Sequence, residues 1–583
     1  MGGHFRKFTD AGESARYYLK VRDLMSTNGL GKILSLTALL ATILITPGQL
    51  FDPINLPKLA VIAIGGFLAL GTMIDNPKLL SSSKYRKVFV WAVLFNFHMV
   101  LVMFISKANN VEEFFGVDGR STGFLAYLSL SVLLLAGAIG SSPNLLSIVF
   151  KALILAGFLS TMYGLLQFAK LDPVDWSNPY NPILGFLGNP NFQSSFIGMY
   201  SIALIATVLS NSIDSKIRLA SIGLVLVNVF LIVSSDSQQG LLVLVGGSAI
   251  VLWIWLSKSR FKKFTPSYFA ILVLGFGGVV LGTLNKGPLA GILYQPSVTY
   301  RGDYWEAGWN ITTQNPIFGV GLDNYGSWYR RARSIEATLR RGPDVTSNAA
   351  HNVFLDMSSN GGVPMLLLYL FMVLLVFSAI IKLSKRSQGF NPVLFGLIGA
   401  WIAYLAQSVI SLNQLGLAVW GWIISGLIIG YEINTRGNDA GAVEQTIVSK
   451  GKNVRKVASQ KISTSTVVIT LICGIIGGIL VAPALGASSK VKSALMSRTA
   501  ESIAASAKAW PRSSGVQTEL AVLLSQSNFD NLALEILNQG IIDSPDTYQM
   551  WLALSNLKSA TPEQVEEAKR QMKRLDPLNP NLK

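Results

Sequence analysis

The sequence predicts an all-α, polytopic membrane protein of about thirteen transmembrane helices, ending in a small extracytoplasmic domain of helical repeats. Three observations carry that reading. Half of the 583 residues are hydrophobic, only 14% are charged and the mean hydropathy is +0.45, whereas soluble domains carry about 25% charged residues. Apolar runs long enough to cross a bilayer recur from Ile33 to Leu485. Lysine and arginine concentrate in every second connection between those runs, the asymmetry that sets membrane orientation.

Taken in order, the runs lie near 33–50, 57–75, 88–106, 122–139, 145–168, 192–210, 217–234, 239–256, 267–284, 353–381, 391–412, 415–433 and 466–485. The segment 1–32 holds Arg6, Lys7, Arg16, Lys20, Arg22 and Lys32 and shows no cleavable signal peptide. Basic residues return at Lys78/Lys84/Arg86/Lys87, Lys151, Lys216/Arg218, Lys258 to Lys263 and Lys382 to Arg386, then in the linker 434–465. All fall on one side, which the positive-inside rule makes cytoplasmic. The net charge of +17 is thus spent at a membrane surface and calls for no nucleic acid. The single cysteine, Cys473, sits in an apolar run, so neither a disulfide framework nor a cysteine–zinc cluster is expected.

The same parity puts every unusual polar motif on the other side of the membrane domain 33–433. These are Phe115 to Arg120, Gly188-Asn189-Pro190-Asn191-Phe192, Ser234 to Gly240 and a long extracytoplasmic loop, 285–352. That loop holds Arg330, Arg331, Arg333, Arg340 and Arg341 and closes on His351, one of three histidines. Arginine forks fit phosphate in a bidentate way, and histidine is the usual proton-transfer group near neutral pH. An anion-binding loop with one candidate base follows. Competing readings stand beside it. His98, inside the third run, reads as a hydrogen-bonded membrane histidine. Arg301 has an anchoring role open to it through Asp303 or Glu306. Gly319-Val320-Gly321 reads as a turn, since no βαβ unit surrounds it. Gly188-Asn189-Pro190-Asn191 has the make-up of a helix start. The Asp172-Pro173-Val174-Asp175 stretch lacks tightly paired carboxylates, and no metal site or cofactor is expected.

The last hydrophobic run, 466–485, leads into a soluble segment, 486–583. Pro511 and Pro545 stand 34 residues apart, and Leu520 and Leu554 share the offset. This suits a tetratricopeptide-like pair of helical hairpins that docks on the membrane domain and offers a surface to a protein partner. A plain helical cap is the bland alternative.

Leu56-Pro57-Lys58, Tyr163-Gly164-Leu165-Leu166-Gln167, Gly188 to Phe192, Arg301-Gly302-Asp303-Tyr304-Trp305, Asn315 to Gly321 and His351-Asn352-Val353-Phe354-Leu355 together resemble the O-antigen ligase and polymerase superfamily over about residues 30 to 435. The resemblance implies a GT-C-like membrane glycosyltransferase that uses neither metal nor nucleotide sugar. Its donor would be a glycan on undecaprenyl (polyprenyl) pyrophosphate and its acceptor a lipid or glycan. The same resemblance makes His351 the base that activates the acceptor hydroxyl and Arg301 a pyrophosphate ligand, both catalytic. Arg120, Asn189, Asn191, Gln238, Trp305, Arg330, Arg331 and Asn352 are the substrate-binding candidates. One departure stands out. Gln238 of Ser237-Gln238-Gln239-Gly240 occupies the place of a family arginine, which weakens or moves one pyrophosphate contact. Ligase, polymerase and protein oligosaccharyltransferase all fit these residues. A flippase would carry its charges at mid-membrane depth, and a scaffold acting through its tail would leave His351 and Arg301 without consequence.

Overall fold

A computed structural model describes residues 29–74, 82–176, 181–294, 296–436 and 464–582. Most of the predicted segment 1–32 and of the basic linker 434–465 lies outside these residues. The described chain is helical throughout, without strands. The helices are α1 (Gly29–Ile43), α2 (Asn55–Ile74), α3 (Arg86–Ile105), α4 (Asn110–Phe115), α5 (Phe124–Gly140), α6 (Pro143–Phe168), α7 (Pro190–Val208), α8 (Ser215–Ser234), α9 (Gln238–Lys258) and α10 (Thr265–Thr283). They continue with α11 (Ala290–Leu293), α12 (Pro296–Gln314), α13 (Tyr325–Ala332), α14 (Ile335–Arg341), α15 (Val353–Arg386), α16 (Pro392–Ile410), α17 (Leu415–Asn434) and α18 (Thr464–Ser497). The tail holds α19 (Ala500–Ala507), α20 (Ser514–Gln526), α21 (Asp530–Asp543), α22 (Tyr548–Ser555) and α23 (Pro562–Leu575).

Among the described residues, ten helices are long and apolar enough to cross a membrane, and α1 and α5 are shorter apolar helices. The more polar α7 accounts for the one remaining interval and is buried along most of its length. Each apolar run read from the sequence therefore falls on a helix. The most enclosed is α17, which packs against α5, α15, α16 and α1. Lipid gives helices no hydrophobic reason to associate, so close backbone approach must come from small residues. Gly426 and Gly430 of α17 supply it: a Cβ at either would lie 2.0 Å from a carbonyl oxygen of α5, at Leu134 and Ala138.

Polar side chains inside the bundle settle its loose backbone ends. Lys58 Nζ donates to the carbonyls of Thr42 (3.3 Å) and Leu44 (3.0 Å), which the end of α1 leaves unpaired. Asn189 caps α7 by accepting from Asn191 N at 2.9 Å, with Pro190 in the first turn. Gln167 Oε1 accepts from Gly185 N at 2.7 Å and fixes the approach to that cap.

The interval 285–352 is an arginine-rich set of helices rather than an open loop. Helices α12 and α13, with the segments beside Val320 and Ala350, form a small core of Ala307, Ile311, Val320, Tyr325, Tyr329, Ala332 and Ala350. Their anchor is a break in α15, where Gly362 has φ 75° and Pro364 follows. Such a break frees carbonyls, and the chain after α12 takes them up. Val320 N donates to Ser359 O (2.9 Å) and Gly321 N to Asn360 O (3.1 Å), while Val363 N donates to Pro316 O (2.8 Å). His98 Nε2 pairs with Gly361 O at 2.6 Å. The Asn315–Gly321 and Gly361–Pro364 motifs are two halves of one joint, and His98 is its hydrogen-bonded membrane histidine.

The tail forms two helical hairpins, α20 with α21 and α22 with α23, with Leu520 and Leu554 buried at matching positions. It sits against the end of the bundle. Phe51 N donates to Ser488 Oγ (2.9 Å), Ser514 N to Glu112 Oε1 (2.7 Å) and Asn109 Nδ2 to Ser544 Oγ (2.8 Å).

Candidate active site

Helix α12 presents Arg301, Tyr304 and Trp305 on one face, the i, i+3, i+4 spacing of neighbouring turns. Opposite them, His351 takes a left-handed backbone conformation, φ 51°, immediately before α15. Few non-glycine residues hold that conformation without support from their surroundings. Here the support is visible. Asn352 caps α15 by accepting from Phe354 N (3.0 Å) and Leu355 N (3.2 Å), and Ala350 N donates to Asp356 Oδ1 (2.8 Å). Trp305 Nε1 donates to His351 O at 3.4 Å. The imidazole stacks on the Tyr304 ring with centroids 5.2 Å apart and planes at 26°.

The charges around this ring are unbalanced. Arg301 makes no hydrogen bond or ion pair among the described residues. Its supposed anchors are engaged elsewhere: Asp303 pairs with Arg340, and Glu306 accepts from Ser334 Oγ at 2.9 Å. Arg341 lies over the rings of Tyr300 (4.1 Å) and Tyr304 (5.1 Å) and donates to the Tyr304 hydroxyl. Burial, followed by the positive fields of Arg301, Arg120 and Arg341, lowers the His351 imidazole from its usual range to about 4. At neutral pH this histidine is uncharged, ready to accept a proton. Burial also lowers Arg301, which stays cationic nonetheless.

The other candidates are placed as follows. Arg120 is buried and pairs with Asp323 at 3.1 Å while donating to Asn348 O, so it stands beside the site with its charge balanced. Arg330 pairs with Asp576 (2.9 Å) and Arg331 with Asp546 (3.1 Å), both in the tail. Asn191 Oδ1 accepts from Ser237 Oγ at 2.9 Å, which joins the start of α7 to that of α9. Gln238 is exposed at the first position of α9, and the neighbouring Gln239 is buried with both amide atoms unpartnered. Sequence reasoning named Arg341 only as one of five arginines and gave Tyr304 no role. The one available signal was the placement of Tyr304 one helical turn after Arg301.

The fold and the site define a class: a polytopic, all-helical membrane protein that groups a neutral histidine with arginines lacking carboxylate partners among the described residues. Residues 222–370 match the family model described as O-Antigen ligase. That match supports a place in the O-antigen ligase and polymerase superfamily and a membrane enzyme of glycosyltransferase type. The match spans Arg301, Tyr304, Arg341, His351 and the Gly362 break, and leaves Arg120, Asn189 and Asn191 outside it. No curated protein matches the chain.

Proposed function

We propose that this enzyme transfers a glycan from polyprenyl pyrophosphate to the hydroxyl of a lipid or glycan acceptor on the extracytoplasmic side of the inner membrane. One observation carries the reading: an uncharged His351 stacked on Tyr304 beside Arg301, a cation without a counterion among the described residues. His351 takes the proton of the acceptor hydroxyl, whose oxygen attacks the anomeric carbon. The bond from that carbon to the pyrophosphate oxygen breaks, and its electron pair leaves with the lipid pyrophosphate. Arg301 and Arg341 face the charge that grows there, stabilisation that exists before the reaction begins. The imidazolium then returns its proton to solvent. Arg330 and Arg331, tied to the tail, hold the arginine-bearing helices in place. Ligase, polymerase and protein oligosaccharyltransferase share this chemistry and differ in the acceptor.

Purified His351→Gln protein, given lipid-linked glycan and acceptor, is expected to transfer about 10²–10⁴-fold more slowly than the wild type, the usual contribution of proton transfer. Wild-type transfer by this variant would end the proposal. In cells, Ser527→Cys in the tail is expected to react with an impermeant maleimide and Ser83→Cys to stay silent. The reverse pattern would put the site in the cytoplasm.

A further inference from the structure

A second cavity, distinct from the His351 cluster, lies where the tail meets the bundle. It is a half-open cavity of about 80 Å³ between the Phe51-Asp52 turn, α4 with the turn after it, and helices α18 to α20. Phe51, Phe115 and Val491 give it apolar walls, and Asp52, Glu112 and Asp118 line it with carboxylates. Arg512, the one basic residue of the lining, is neutralised by Asp543 at 2.6 Å.

Two lining side chains are buried with a polar atom unsatisfied. Gln517 is 2% exposed and its Nε2 has no partner; Asp52 is 7% exposed and its Oδ2 has none. The other Asp52 oxygen accepts from Ile54 N (3.0 Å) and Asn55 N (2.9 Å). Buried polar groups are nearly always paired, so a donor and an acceptor without partners among the described residues, both on residues that line this cavity, point to a molecule that completes them. The acidic lining repels phosphate and carboxylate ligands. Among the described residues no group of three or more His, Cys, Asp or Glu is arranged to hold a metal ion. What remains is a molecule with hydroxyl donors for the carboxylates, an acceptor for Gln517 and C–H faces for the phenyl rings.

We infer that this cavity is a saccharide site for an uncharged, hydroxyl-rich sugar, and that it holds the acceptor of the transfer reaction; the acceptor role rests on the reading above. The position of the cavity fits that division. Asp118 lines it, while Arg120, two residues on, bonds Asn348 O and Asp323 beside His351. One turn thus separates a cationic site suited to pyrophosphate from an acidic one suited to a neutral sugar.

The test uses the full chain in nanodiscs on an array of neutral oligosaccharides and their phosphorylated counterparts. The wild type is expected to retain neutral glycans and reject the phosphorylated ones. Gln517→Leu, similar in volume, and Asp118→Asn, at an exposed position, are expected to weaken retention at least tenfold with unchanged thermal unfolding. The saccharide site is overturned if no neutral glycan is retained, if both variants bind like the wild type, or if phosphorylated glycans bind equally well. In transfer assays the two variants are expected to raise acceptor KM at least tenfold and leave kcat within twofold. An unchanged KM alongside lost retention overturns the acceptor role. If the wild type transfers no glycan yet shows Gln517-dependent retention, the transfer reading fails and the saccharide site stands.

Discussion

At the scale of single residues, charge balance decides which arginines are available for chemistry. Seven surround the site region, and five of them, Arg120, Arg330, Arg331, Arg333 and Arg340, have carboxylate partners. Arg301 and Arg341 have none among the described residues. Arg301→Lys keeps the charge but loses the planar fork, and transfer is expected to fall at least tenfold; full activity at normal expression would remove its pyrophosphate role. The pH dependence follows from His351. In the proposed reaction its neutral form is the base, and its pKa is depressed to about 4, so transfer should stay level from pH 8 to about 5 and fall as pH drops through about 4. The stability effect has the same sign. The unfolded histidine binds protons near pH 6.5 and the folded one does not, so its contribution is complete above about 6.5 and is lost as pH falls towards 4. His351 stood out as a candidate base from residue type and position. The free arginines were not, because Asp546 and Asp576, which claim Arg330 and Arg331, lie more than 200 positions along the chain.

At the scale of elements, the break in α15 is the joint on which the site is mounted. Gly362 sits at φ 75°, and a Cβ there would lie 2.3 Å from Ile317 O. Gly362→Ala therefore meets both an unfavourable backbone region and a backbone clash. It is expected to cost about 2–4 kcal/mol and to lower transfer, because the segment that carries α12 is displaced. Thermal unfolding in detergent checks this, and an unchanged midpoint would show that the break tolerates a side chain. The hydrophobic run 353–381 passes through Gly361-Gly362-Val363-Pro364, and reading it as one span gave no break there. That the turn after α12 repairs it, with help from His98, follows only from their meeting in space.

At the scale of the molecule, the tail is fastened to the arginine-bearing helices. Asp576 is fully buried and takes both Arg330 (2.9 Å) and Arg333 (2.8 Å), and Arg330 also covers the Tyr548 ring at 4.2 Å. Removing one member of a buried ion pair strands its partners, at a cost of about 3–5 kcal/mol. Asp576→Asn is expected to loosen the docked tail, raising protease cleavage around Arg498 at least tenfold and reducing transfer. If cleavage and transfer both stay at wild-type levels, the clasp does not hold the tail.

Hydrophobic length, the alternation of basic connections and a handful of motifs were sufficient to give the membrane class, the intervals that become helices and the resemblance to the superfamily, because each is a local property of the chain. Which cations stay unpaired, how a broken helix recovers its hydrogen bonds and where a carboxylate-lined cavity opens were decided by the tertiary structure. Those properties are sums over neighbours, and the neighbours of Arg330, Gly361 and Asp52 come from distant parts of the sequence.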